Sequence, residues 1–533
     1  MNIGLDFGTT NSILGFYDVN KDIVDTYRMD ANGSNDYIPS VVAIEDDEID
    51  IGEVAKRVTN DSYYDVYSRF KILLNLSKRE DLVKHGFKDR TPREITKIYL
   101  QKLIEHFKKD NRTKKIDSLV ITVPEIWLKD NHSSRTILKE VIEELKLPLK
   151  KMVSEPVSAG AYFLYNFEKE NQKKFNGHVL VFDYGGGTLD ISLLQTQNNT
   201  IRVLERTGTG QSNKFTGNAG VSFDERVIET MCQDKVKKLG NQYRVLLNEF
   251  ESKKIQTSFQ HEMLLLNYIQ NRSENKKIFS LSCKGENRNY LGEFDISASN
   301  LIHAFKDLDK EIKTILREIA QTFPKYNIDT NNSDKFRVVM VGGFSNFYLS
   351  KRSVKEFFYA TDNDERFETH FKANDIALAI AKGATIIAEG KINIDETFPV
   401  NLDLVVQRVN AKNVAEEKTI NIFKKGEIVK KHTVSYVKIN RQNIRIRQAG
   451  NIVLLLDNGN EGGKYKIHLN KNIQDIFPHY NRVNNEWYIG FSIDENSFMY
   501  VYVYDKYMKE RDAIKTNLGG IIDNYVNSIF IKD

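Results

Sequence analysis

Apolar and polar positions along the chain follow two different rhythms. Up to about residue 390, short apolar runs closed by glycine or aspartate alternate with longer segments whose apolar residues recur at helical spacing. Val179 to Phe182 and Ile191 to Leu194 read as paired strands of a buried hairpin, and "SLVITVP" (118–124) as a buried strand. "PSVVAIEDDEIDIG" (39–52) is β-rich, and "KFRVVMVGGF" (335–344) is a strand ending in a glycine turn. Thr91-Pro92-Arg93-Glu94 carries a capping residue, a Pro at the first helical position and a Glu three residues after the cap, so a helix opens there. Further helices are predicted over 135–147, over 154–165, near 241–260 and over 375–390, with a second capping box at Ser222 and Glu225. This alternation is α/β. Beyond about residue 391, period-2 segments take over at 434–448, 465–469, 487–493 and 498–505, which predicts an antiparallel β domain after a polar junction.

Two of the strand turns carry chemistry. "LVFDYGGGTLDISLL" (180–194) sets Gly185, Gly186 and Gly187 between strands and flanks them with Asp183 and Asp190. Bare glycine N–H groups in a tight turn form a concavity suited to phosphate. Carboxylates there would repel a phosphate, so a cation between them is implied, hydrated Mg²⁺ being the natural choice. An ordinary glycine hairpin with Asp as turn former would explain one such stretch. "IGLDFGTTNSILG" (3–15) repeats the grammar with Asp6, Gly8, Thr9 and Thr10, and two copies suggest related lobes facing one phosphate.

Composition narrows the class. A chain of 533 residues with 40% apolar and 28% charged residues should divide into two to four soluble domains. A net charge of +4 with interspersed signs implies no nucleic-acid stripe. Two cysteines, Cys232 and Cys283, favour a reducing compartment. Strand grammar begins at Ile3, leaving no room for a signal peptide, and no apolar run approaches the ~20 residues of a membrane span. A cytoplasmic location is expected.

The motifs "GLDFGTTNS", "TPREI", "VITVPEIW", "SEPVSAGAYFLY", "VFDYGGGTLDIS" and "VVMVGG", in this order, resemble the seventy-kilodalton heat-shock chaperone family. "FSIDENSFMYVYVYDK" (491–506) resembles its substrate-domain signature. The resemblance implies an actin-like ATPase domain of two ribonuclease-H-like lobes over 1–390, a linker over 391–400 and a small β-sandwich over 401–533 that binds polypeptide. It implies ATP or ADP with Mg²⁺, and J-domain or nucleotide-exchange partners, with neither nucleic acid nor membrane. Carried over by motif, Gly8, Thr9, Thr10, Asn11, Gly185, Gly186, Gly187 and Thr188 face the phosphates. Asp6, Asp183 and Asp190 face the metal's waters. Glu155 orients the attacking water, and Lys71 neutralises the terminal phosphate; with Asp183 and Thr188 they form the catalytic set, expected in a solvent-facing cleft. Lys71 read alone would be the solvated face of an amphipathic segment.

Glu251, Lys254 and Ser258 keep the family's adenosine spacing, beside Gly342, Gly343 and Phe344. Ile255 and Asn346 replace the Arg pair that the family sets against the base, Phe344 replaces a Ser, and Ala219 replaces a glycine. Loss of the Arg contacts should cost about 1–2 kcal/mol of base binding unless Phe344 stacks on the base; ordinary packing is the other reading of Phe344. The docking linker has no clear counterpart in 390–401, and the helical lid is expected to be missing, with a few helical turns at most after Gly519-Gly520. The leading expectation is an ATP-hydrolysing, lidless chaperone relative. The alternatives are a nucleotide switch or scaffold for one dedicated partner and, against the motif order, a small-molecule kinase on the same scaffold. A P-loop enzyme is excluded, because no G-x-x-x-x-G-K-[ST] occurs.

Overall fold

The computed structural model describes residues 1–29, 35–111, 115–124, 134–209, 219–232, 242–284, 290–367, 375–395 and most of 401–519, with single positions and short stretches in these ranges excepted. Residues 396–400 of the junction and the tail 520–533 lie outside the described residues.

Two mixed sheets repeat one plan. The first contains β1 (Asn2–Asp6), β2 (Asn11–Asp18), β3 (Ile23–Thr26), β4 (Ser118–Val123) and β5 (Leu149–Ser154), in the order β3-β2-β1-β4-β5. β1 to β3 form an antiparallel meander, and β4 and β5 run parallel to β1. The second contains β6 (Gly177–Tyr184), β7 (Leu189–Gln197), β8 (Thr200–Thr209), β9 (Phe336–Val341) and β10 (Asn393–Asp395), in the order β9-β6-β7-β8-β10. Again a meander, β6 to β8, is followed inward by a parallel strand, β9. β10 pairs with β8, so the start of the expected linker is an edge strand. Val179, Leu180, Val181 and Phe182 are all fully buried, which explains why β6 reads as a continuous apolar run.

The helices that bear on the site are α1 (Pro92–Asp110), α2 (Ser134–Glu144), α3 (Glu155–Asn171), α4 (Gly220–Cys232), α5 (Gln242–Gln256), α6 (Ser258–Gln270), α7 (Ala298–Ala320), α8 (Tyr348–Phe357) and α9 (Asp375–Ala388). α3 packs on the second sheet, α9 on the first, and the two helices pack on each other. Small residues set that closeness. A Cβ on Gly383 would lie 1.7 Å from the Ser158 carbonyl oxygen, and one on Gly4 would lie 2.3 Å from the Thr385 nitrogen. α1 begins at the anticipated capping box, with the Thr91 hydroxyl accepting from the Glu94 N–H and Glu94 accepting from the Thr91 N–H. The second box is corrected. α4 starts at Gly220, before Ser222, because the Gly220 and Val221 N–H groups donate to the carbonyls of Gly185 and Gly186 at 3.2 and 2.9 Å. The helical region near 241–260 is two helices, α5 and α6.

After residue 400 the described elements are strands in two antiparallel sheets. One runs Ala415–Phe423, Asn401–Val409, Asn451–Asp457, Lys464–Asn472, with Ile444–Arg445 beside the second strand. The other runs Ser435–Asn440, Glu486–Ile493, Met499–Asp505, Ile514–Gly519. This β region touches α2. Lys139 lies 4.1 Å from the centre of the Phe498 ring and 3.1 Å from Asp494, while Phe498 is buried in the core beneath the first sheet.

Candidate functional site

The turn between β1 and β2 faces the turn between β6 and β7. A Cβ on Gly186 would lie 3.6 Å from the Thr10 hydroxyl, and one on Gly187 would lie 3.7 Å from that of Thr9. Each hairpin carries an Asp at or next to the end of its first strand: Asp6 pairs across to Ile13, and Asp183, one residue before the end of β6, to Asp190. The turns are braced by backbone. Ser40 donates to the Gly8 carbonyl at 2.8 Å, and a Cβ on Gly8 would fall 1.9 Å from the Asn11 carbonyl oxygen. Gly185 donates to Thr188 at 3.1 Å. Gly342, at φ 86°, presses so closely on the second turn that its Cβ would lie 2.5 Å from Asp183 Oδ1.

Behind the turns sits a buried charge cluster. Asp6, Glu155, Asp183 and Asp190 are between 0 and 9% exposed, and Lys71 is 2% exposed. Lys71 Nζ donates to Glu155 Oε1 at 2.6 Å. These residues are therefore buried, where a solvent-facing cleft was expected. Lys71 is also not on a helix. It follows the strand Asp65–Ser68 after a left-handed turn at Arg69 (φ 58°), which carries Phe70 and Lys71 inward. Thr122 donates to Asp6 Oδ1 at 2.9 Å, whereas Asp183 Oδ2 has no hydrogen-bond partner among the described residues. Burial and then Glu155 push the Asp6 carboxyl up to about 7, although Lys71 pulls it down. Burial, Glu155, Asp190 and Asp6 drive Asp183 well above the usual carboxylate range. One ammonium among four carboxylates leaves excess negative charge, which suits an added cation. No group of three or more His, Cys, Asp or Glu among the described residues is placed to hold a metal ion directly.

On the nucleoside side the structure joins Lys254 to Asp224 at 2.5 Å, a partner that sequence reasoning missed. An acid within a helix is usually solvated, so Asp224 carried no signal; burial raises its carboxyl to about 7 against the pull of Lys254. Lys254 Nζ also lies 5.3 to 5.8 Å from the ring centres of Phe344, Phe223 and Phe250. Phe344 is 5% exposed, stacked on Phe347 at 5.4 Å and edge-on to Tyr184 at 4.9 Å. Its role in this structure is packing. Glu251 lies on α5 with Lys254, Gly343 and Asn346 are exposed, and Ile255 is 64% exposed. Ser258 opens α6, its side chain outside the described residues.

Two α/β sheets joined by packed helices, glycine turns in opposition and a following β region define a recognisable class of chain. Comparison makes it specific: the Hsp70 protein family model matches residues 69–520. The chain belongs to the Hsp70 family. It is 32% identical over 232 residues to the chaperone protein DnaK of Mycoplasmopsis pulmonis, covering 44% of this chain and 35% of that protein. To the chaperone protein DnaK of Ureaplasma urealyticum it is 26% identical over 368 residues, 66% of this chain and 54% of that protein. The chaperone protein DnaK of Ureaplasma parvum is also 26% identical, with 53% of its length covered. The chain thus spans about half or less of the length of these curated relatives. Among the described residues, no helix is long and apolar enough to cross a membrane.

Proposed function

We propose that this chain is an ATPase of the chaperone type, which hydrolyses ATP between the two glycine turns and binds polypeptide through its β region. The α/β portion is read as an actin-like domain of two ribonuclease-H-like lobes, one per mixed sheet. The observation that carries the reading is the approach of Thr9 and Thr10 to Gly187 and Gly186 above a buried, negatively charged cluster. The orphaned Asp183 oxygen and the surplus of carboxylates fit a hydrated Mg²⁺, held through water by Asp6, Asp183 and Asp190. When bound, that cation would offset the charge of the phosphates.

The protein's own groups then divide the work. Backbone N–H groups of Gly8 to Asn11 and of Gly186 to Thr188, with the Thr hydroxyls, cradle phosphate oxygens. Lys71 neutralises the terminal phosphate, and Glu155, now paired with Lys71, orients the attacking water. Glu251, Lys254, Ser258, Gly342 and Gly343 border the nucleoside. With Phe344 committed to the core and Ile255 and Asn346 in place of two Arg, the base is held weakly, and ATP and GTP are poorly distinguished. Peptide clients and J-domain or exchange partners belong to the same proposal.

The test is Mg²⁺-dependent ATP turnover by the whole chain, with and without a panel of extended peptides, beside Lys71→Ala. Turnover that peptides stimulate and that Lys71→Ala lowers by orders of magnitude is expected. Absence of nucleotide binding, or full turnover in Lys71→Ala, would overturn the assignment.

A further inference from the structure

A cavity open to solvent lies away from the glycine turns, lined by α6, α7, α8 and Arg272 just beyond α6. Its volume is about 620 Å³, within the roughly 300–1,000 Å³ usual for small-molecule sites. Nothing in the phosphate chemistry above uses it.

Its lining is divided between charge and grease. Phe305, Leu349, Ile302 and Ile269 form apolar walls. Two cations at the cavity, Arg272 and Lys306, are exposed, and no acidic side chain among the described residues pairs with either. Arg272 lies over the Tyr268 ring at 4.9 Å, which holds its guanidinium at the cavity wall. The acids of the lining are already engaged: Glu356 by Arg352 at 2.5 Å and by Lys313 at 2.9 Å, and Asp309 by Lys313 at 3.0 Å. The uncompensated charge is therefore positive. The lining also includes Ser353, 1% exposed, whose hydroxyl has no hydrogen-bond partner among the described residues. A buried hydroxyl left unmatched costs free energy in the empty protein that a ligand's polar atom would recover.

We propose that this cavity is a binding site for a small amphiphilic anion, a carboxylate or sulfonate on an aromatic or short aliphatic body. The acid group meets Arg272 and Lys306, the apolar body lies along Phe305 and Leu349, and a polar atom of the ligand satisfies Ser353. Dispersion and area burial supply attraction, and the paired cations select for negative charge.

The aromatic sulfonate 8-anilinonaphthalene-1-sulfonate serves as the probe, titrated by fluorescence into the full chain with saturating ATP present. One equivalent should bind, and Arg272→Glu with Lys306→Glu should weaken it by roughly tenfold or more, as loss of charge-assisted contacts implies. Ser353→Leu, which fills the cavity, should weaken it too, while Lys310→Glu, a charge reversal on α7 outside the lining, leaves it unchanged. Both charge variants alter exposed side chains, and unfolding curves matching the wild type establish that they fold. Equal affinity in the wild type and the double variant, or no stoichiometric binding to the wild type, would overturn the proposal.

Discussion

Lys71 and Asp183 share one buried cluster, yet removing them should move stability in opposite directions. Lys71→Ala takes the ammonium from Glu155 and leaves a buried carboxylate beside Asp6 and Asp183. Breaking such a pair typically costs on the order of 3–5 kcal/mol. Asp183→Asn instead replaces a carboxyl whose ionisation burial and its acidic neighbours already oppose, and should leave the metal-free protein as stable as the wild type or more so. Urea unfolding of both variants without Mg²⁺ is the measurement; parallel destabilisation would contradict it. The pH dependence has the same origin. The Asp6 carboxyl is raised to about 7 in the folded chain from an ordinary value of 3.8, so the folded state holds the extra proton between those values. Stability from this group is therefore lost as pH rises towards and through about 7, at up to ~1.4 kcal/mol per pH unit. His178 and His261, lowered by burial, act in the opposite sense below pH 6.5. Between pH 8 and pH 6.5 the metal-free wild type should gain stability, and Asp6→Asn should gain less. The Asp, Gly and Thr residues of both turns were legible in the sequence because their chemistry is local. The burial of Lys71 was not, since a single left-handed residue, Arg69, turns it inward. The packing of Phe344 was also hidden, because Tyr184, Phe223 and Phe347 reach it from separate segments.

Among the elements, α3 and α9 meet where neither can retreat. Gly383→Ala would drive a methyl group onto the Ser158 backbone, and backbone cannot rotate aside as a side chain does. Overpacking of this kind typically costs about 1–3 kcal/mol, occasionally more, and here the helices must separate. Chemical denaturation should show a loss at the upper end of that range; a loss below ~1 kcal/mol would mean the crossing is looser than its geometry. Both helices were legible from small-residue patterns, and α1 from its Thr91 box. The start of α4 was not. Capping rules look for a side chain, and here the carbonyls of the β6–β7 turn take the first N–H groups of the helix. A partner supplied from across the fold leaves no mark next to Ser222.

For the molecule as a whole, the repeated strand order explains why one grammar appears twice, at Asp6 and at Asp183, with so much chain between. The period-2 segments were equally readable as strands, and the described strands beyond 400 lie in two antiparallel sheets. What the pattern could not convey was the meeting of Lys139 with Asp494 and Phe498, since long-range pairing depends on how whole regions dock. That meeting carries a consequence for ionic strength. Lys139 and Asp494 have side chains only 12 and 11% exposed, and Phe498 is 1% exposed. Dissolved ions screen charges they can surround, over about 10 Å at 0.1 M and about 3 Å at 1 M, and they cannot surround these. An open pair such as Arg57 and Glu53, 77 and 44% exposed, has no such shelter. The radius of gyration by small-angle scattering should therefore stay constant from about 0.1 M to about 1 M sodium chloride. Expansion in the concentrated salt would mean that long-range attraction, and not the sheltered contact at Phe498, holds the β region to α2.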